Sequence, residues 1–125
     1  MSHFETKLKA EDNSFKELFV RSPNNPILTA KDWPYPANTV FNPAAVMYGG
    51  KVVLLVRVED RRGFSHVTKV VSEDGVSNWV IDKAPTLESD PNYPDEKWGI
   101  EDPRITYMDE LGKYAVIYTA YSESG

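Results

Sequence analysis

From Asn38 onward, short runs rich in β-branched and aromatic residues are separated by turn signals. Asn42 to Tyr48, a Gly49-Gly50 turn and Lys51 to Glu59 read as a β-hairpin, because paired glycines supply the positive φ angles of a two-residue loop. Asp102 to Met108, a turn at Asp109 to Gly112 and Lys113 to Tyr121 read the same way. Between the hairpins the pattern predicts a third strand over Phe64 to Ser72, a turn at Glu73-Asp74-Gly75, and a fourth strand over Asn78 to Asp82. The first 38 residues are polar and interrupted by Pro23, Pro26, Pro34 and Pro36, with a short helical turn expected over Asn13 to Phe19, capped by Asn13 or Ser14.

The proline opening each hairpin recurs at an offset of 60, from Pro43 to Pro103. Four antiparallel strands followed by a restart of the same hairpin is the pattern of a β-propeller blade, and a sandwich of short strands is the competing architecture. The repeat exceeds the roughly 40 to 50 residues of common blades, the excess falling in the loop Lys83 to Trp98. The expected division is an irregular segment over 1–38, a first blade with its connecting loop over 39–98, and a second blade over 99–125 that stops after two strands. Propellers close with about four to eight blades, so the chain reads as a piece of one. Its last strand would present an unpaired, apolar edge.

Composition narrows the function classes. With 14 Lys+Arg against 19 Asp+Glu, the net charge of -5 offers no basic field for a nucleic-acid backbone. The longest apolar run, Val52 to Val56, is far short of the roughly 20 residues of a membrane span, and Met1 to Ala10 lacks the apolar core of a signal peptide. There are no cysteines and only two histidines, His3 and His66, so neither a disulfide framework nor a thiolate or histidine metal site is expected. This fits a cytoplasmic protein without a metal. Aromatics at 12%, with three Trp and seven Tyr, suit a carbohydrate cleft as well as a β-rich core.

The densest candidate chemistry is Gly99-Ile100-Glu101-Asp102-Pro103-Arg104-Ile105-Thr106, two carboxylates and a guanidinium around a proline where a loop becomes a strand. Charges at the mouth of a β scaffold are costly unless paired or used. Proline is expected to hold Asp102 extended, and Arg104 is open to a reading as a surface ion-pair partner. In the blade reading, Asn42 and Asp102 occupy equivalent positions and face one cavity. Arg57 alternates with apolar neighbours, so it shares a face with Val53 and Leu55 or points into the cleft, and pairing with Glu59 or Asp60 at the strand end is the competing reading. Arg61 and Arg62 precede Gly63 in a loop, where a solvated charge cluster is the default.

Four blocks, Asn38 to Val46 (NTVFNPAAV), Leu55 to Gly63 (LVRVEDRRG), Gly99 to Thr106 (GIEDPRIT) and Tyr118 to Ser122 (YTAYS), resemble glycoside hydrolase family 130 in that family's order. The family contains β-mannoside phosphorylases and related β-mannosidases. The resemblance implies an all-β fold, the N-terminal part of a five-bladed β-propeller with a central cleft. It implies Asp102 as general acid and Asn42 and Arg57 as ligands of the mannosyl unit, with Asp60 shaping that subsite. Glu101 and Arg104 would orient the acid or tune its pKa, and Tyr121 either contacts sugar or belongs to the core.

The implied chemistry is inverting cleavage of a β-mannoside oligosaccharide. Inorganic phosphate serves as co-substrate in the phosphorylases, and a carboxylate-activated water replaces it in the mannosidases. Phosphate is already a nucleophile, so a phosphorylase needs one catalytic carboxylate plus an anion pocket of Arg, Lys or His. In the family's phosphorylases the proton is relayed through the sugar's 3-hydroxyl. The phosphate-binding residues and the hydrolase base are expected in later blades, beyond Gly125. Family members are often homo-oligomers, but no feature here sets a stoichiometry. A non-catalytic carbohydrate-binding module is the reading from a different class. No membrane or nucleic-acid partner is implied.

Overall fold

The computed structural model describes residues 17–125. It is all-β apart from two short 3₁₀ turns at Ala30–Asp32 and Pro94–Glu96. A four-stranded antiparallel sheet in sequence order holds β1 (Thr39–Tyr48), β2 (Lys51–Glu59), β3 (Ser65–Ser72) and β4 (Val80–Ile81). A separate antiparallel hairpin holds β5 (Ile100–Met108) and β6 (Lys113–Ala120). The expected helical turn over Asn13 to Phe19 lies largely outside the described residues, and its tail, Glu17 to Phe19, is not helical.

Alternation along β2 sorts the sheet into two faces. Leu54, Val56 and Val58 point to one side with Val70, where Trp33 and the partly buried Leu28, Tyr35 and Ala37 of the N-terminal segment cover them. Each such aliphatic side chain contributes roughly 1.5–3 kcal/mol on full burial, so this segment is a lid on the core despite its prolines. It is also pinned by polar contacts. The Tyr35 hydroxyl sits 2.8 Å from His66 Nε2 and hydrogen-bonds Thr68 Oγ1, which satisfies two side chains buried on β3. Burial pushes the His66 pKa down, keeping the imidazole neutral.

The opposite face carries Val46, Val53 and Val71, and the β5–β6 hairpin lies against it. Ile105 and Tyr114 line an apolar cleft of about 310 Å³ with these valines, and the Tyr114 hydroxyl donates to the Met47 carbonyl at 3.1 Å.

Three strands differ from the sequence reading for identifiable reasons. The prolines do not open their strands. β1 begins at Thr39 and β5 at Ile100, and Pro43 and Pro103 sit within them at register shifts, between Phe41 and Ala44 in one and between Glu101 and Arg104 in the other. A bulge leaves a residue unpaired, which is where a strand tolerates a residue with no N–H. β4 is only Val80–Ile81 because Asn78 takes φ 51° and Asp74 captures the preceding turn, accepting from the Val76 and Ser77 amides at 2.9 and 2.8 Å.

The segment from Lys83 to Gly99 is tied down at both ends. Leu87 exchanges backbone bonds with Val67. Buried Glu96 accepts from the Tyr118 hydroxyl at 2.6 Å and the Asp90 amide at 2.8 Å. The segment delivers Gly99 against Ser65 in a parallel bridge. A Cβ on Gly99 would lie 2.5 Å from the Ser65 carbonyl oxygen and 2.6 Å from its nitrogen, and Gly99 has φ 116°. Only glycine permits that approach in that conformation.

Candidate active site

The two bulges face each other. Asn42 and Asp102 both take left-handed φ angles, 45° and 48°, so Asp102 is not extended as the following proline suggested. Short polar side chains tolerate this region, and the bulge overrides the usual preference before proline. The effect is to turn both side chains toward the seam between the sheets, where Asn42 Nδ2 donates to Asp102 Oδ1 at 2.8 Å.

Arg57 completes the cluster. It lies on the face of Val53 and Leu55, and it does not pair with Glu59 or Asp60 as one reading allowed. Its Nη1 reaches Asp102 Oδ1 at 3.0 Å and its Nη2 reaches Glu101 Oε1 at 2.8 Å. Nε donates to Ser65 Oγ at 3.0 Å, and Cζ stands 4.3 Å above the ring of Phe41, its cross-strand partner. Every nitrogen of the guanidinium is engaged, and the fork fits two carboxylates better than an ammonium would.

These contacts set the electrostatics. Hydrogen bonds from Asn42 and then Arg57 hold the Asp102 carboxyl below its ordinary value, with Arg104 adding a smaller charge effect. Asp102 is thus an ionised carboxylate at neutral pH in the free protein. Both protein donors converge on Oδ1, and Oδ2 has no partner among the described residues. One oxygen is anchored and the other is free to hold a proton.

Of the remaining sequence candidates, Arg104 acts on Asp102 through its charge alone, and Asp60 and Tyr121 make contacts of their own. Asp60 folds its own loop, pairing with Arg62 at 2.7 Å and accepting from the Arg62 and Phe64 amides. Burial raises its pKa, but these donors outweigh that and leave it lowered. Arg104 Nη1 donates to the Pro103 carbonyl at 2.8 Å. Tyr121 packs edge-on against Trp98, ring centroids 5.5 Å apart, while its backbone extends the hairpin through Gly99 and Trp98. The sequence reading missed Ser65 and Phe41. The register set by the Gly49-Gly50 turn would place Phe41 opposite Val58, and the bulge shifts it by one residue onto Arg57; Ser65 carried no local signal. Among the described residues, no group of three or more His, Cys, Asp or Glu is placed to hold a metal ion.

An all-β scaffold that holds Glu101 and Asp102 on one guanidinium at the seam of two hairpins is similar to several solved structures. The chain matches a glycoside hydrolase from Parabacteroides distasonis with TM-score 0.68 and 27% identity, covering 82% of this chain and 35% of that one. It matches a glycosyl hydrolase from Bacteroides ovatus with TM-score 0.63 and 34% identity, covering 71% and 27%. Residues 9–125 match the model of glycoside hydrolase family 130, described as beta-1,4-mannooligosaccharide phosphorylase, and the chain belongs to that family. It is also 34% identical over 115 residues to the beta-1,2-mannobiose phosphorylase of Thermoanaerobacter sp. (strain X514). That match covers 81% of this chain and 36% of the relative, so the chain spans little more than a third of the curated protein it resembles.

Proposed function

We propose that this chain is the N-terminal portion of an inverting β-mannoside phosphorylase, converting a β-mannoside and phosphate into α-mannose 1-phosphate and a shortened sugar, with Asp102 as general acid. The observation that carries the reading is the asymmetric anchoring of Asp102, with Oδ1 fixed by Asn42 and Arg57 and Oδ2 free. Similarity to two phosphorylase descriptions supports phosphate over water as the nucleophile. In the same reading, the four-stranded sheet is the first blade of a five-bladed propeller and the β5–β6 hairpin opens the second.

The chemistry follows from that carboxylate. A phosphate oxygen attacks the anomeric carbon as the glycosidic C–O bond breaks. The proton on Asp102 Oδ2 passes, by way of the sugar's 3-hydroxyl, to the departing oxygen. Asp102 is ionised in the free protein, so it has to gain its proton in the complex. A phosphate dianion arriving nearby raises the carboxyl pKa by like-charge repulsion, and a sugar closing the cleft raises it by desolvation. Binding of the nucleophile thereby arms the acid.

The test is turnover of a β-mannobiose by the intact protein, with and without phosphate. Mannose 1-phosphate forms only with phosphate present, and Asp102→Asn lowers its rate by about 10²–10⁴-fold, the usual contribution of a general acid. Near-normal turnover in Asp102→Asn refutes the acid assignment. Phosphate-independent release of mannose instead favours the β-mannosidase reading, which the hydrolase descriptions of the similar structures keep in view.

A further inference from the structure

We propose that Ser65 is a positioning residue for the proposed acid, acting through Arg57 and through the strand that bears Asp102. The inference rests on the phosphorylase reading above and adds to it a residue lying two layers from the reacting bond. Ser65 is 3% exposed, on the third strand of the first sheet, and makes two unrelated contacts. Its side-chain oxygen accepts from Arg57 Nε at 3.0 Å. Its backbone receives Gly99 in the sole parallel bridge between the two sheets among the described residues. One contact fixes the donor and the other fixes the acceptor of the Arg57–Asp102 bond.

The geometry shows why both are needed. A guanidinium on a flexible stem delivers two N–H groups to two carboxylates only if its plane and its rotation within that plane are set. Phe41, 4.3 Å below Cζ, sets the plane. The in-plane rotation is set at Nε, and Ser65 Oγ is the acceptor there. With that bond made, Nη1 and Nη2 point at Asp102 and Glu101. The carboxylates arrive on a different sheet, whose register against the first is fixed where Gly99 meets Ser65, three residues before Asp102. Removing the hydroxyl frees the fork to rotate about its stem, and the Arg57 bond to Asp102 Oδ1 weakens.

The readout is the pH dependence of the intact protein on an aryl β-mannoside with phosphate. A general acid works only when protonated, and Asp102 gains its proton in the complex, so kcat falls as pH rises through the acid's pKa there. The Arg57 bond lowers that pKa. Ser65→Ala is therefore expected to move the alkaline limb toward higher pH and to lower kcat by about 10-fold or more, as misplacement of a catalytic group does. A residue that merely supports the fold would lower the rate without moving the limb. In an Arg57→Met background, Ser65→Ala is expected to cost less than threefold further, because the two act as one unit. Ser65→Cys keeps the volume with a weaker acceptor, shifts the limb in the same direction, and carries the test if Ser65→Ala does not fold.

An unmoved limb, or effects of Ser65→Ala and Arg57→Met that multiply independently, overturns the proposal. Asp102→Asn, run alongside, separates this failure from failure of the acid assignment itself. If it retains turnover, the acid assignment falls. If it is inactive while the Ser65 variants behave as wild type, only the positioning role falls.

Discussion

Gly99→Ala should uncouple the two sheets without touching a polar side chain. The added Cβ would meet the Ser65 carbonyl oxygen at 2.5 Å and nitrogen at 2.6 Å, where ordinary contact is 3.4–4 Å. Both obstacles are backbone, so the strands themselves have to separate by roughly 1 Å. Overpacking of this kind costs about 1–3 kcal/mol, and φ 116° adds a strain of about 1–3 kcal/mol for a residue with a Cβ. Misplacement of about 1 Å at catalytic groups lowers rates by about 10². Urea denaturation of the intact protein should thus show a loss of about 2–6 kcal/mol, the sum of the two terms, with kcat/KM down about 100-fold. Gly63→Ala is the matched control, since Gly63 has φ 86° but nothing within 4 Å of its Cβ position. It carries the conformational cost alone and should leave turnover within twofold. If Gly99→Ala behaves like Gly63→Ala, the close approach to Ser65 does not set the register of the site.

Arg57→Met strips the partner from Glu101 and Asp102. Breaking a buried pair costs about 3–5 kcal/mol, reduced here to about 2–3 kcal/mol because the Asp102 side chain is 40% exposed. Asp102 has a lowered pKa in the folded state, so its share of that difference is present above the ordinary value of 3.8 and is lost as pH falls through the lowered value. Urea midpoints of wild type and variant should therefore converge on acidification from pH 7. Asp74, held well below the ordinary range first by Ser77 and then by the Val76 amide and Ser72, follows the same sign. Asp74→Asn is less stable at neutral pH by chemical denaturation, and the difference closes only at strongly acidic pH. Glu96→Ala leaves the Tyr118 hydroxyl and the Asp90 amide without an acceptor. It should cost about 1–3 kcal/mol and make the segment 83–98 the first site of limited proteolysis.

The hairpins were legible because their signals are local. Gly49 and Gly50 have φ 58° and 75°, and the glycine pair alone announces that turn. The face assignment of Arg57 was likewise written in the alternation of β2. The two bulges were not legible, because a proline at a strand start and a proline in a bulge give the same local pattern. Which one forms depends on the partner strand. The site was half visible. Asn42 and Asp102 were matched through their offset of 60, but the roles of Ser65 and Phe41 exist only across strands. Asp60 entered the site through the family resemblance, and in the structure its donors are local amides and Arg62.

Asn42 and Asp102 hold the same place in the two bulged hairpins, with the same left-handed φ and the same proline after it. They differ by a nitrogen in place of an oxygen. Two aspartates there would repel at 2.8 Å and share a proton across the seam. Two asparagines would leave no acid at all. In the proposed mechanism, a difference of a single atom between the two positions is enough to make one the acid and the other its holder. The exchange Asn42→Asp with Asp102→Asn would preserve the pair while moving the charge to the other sheet.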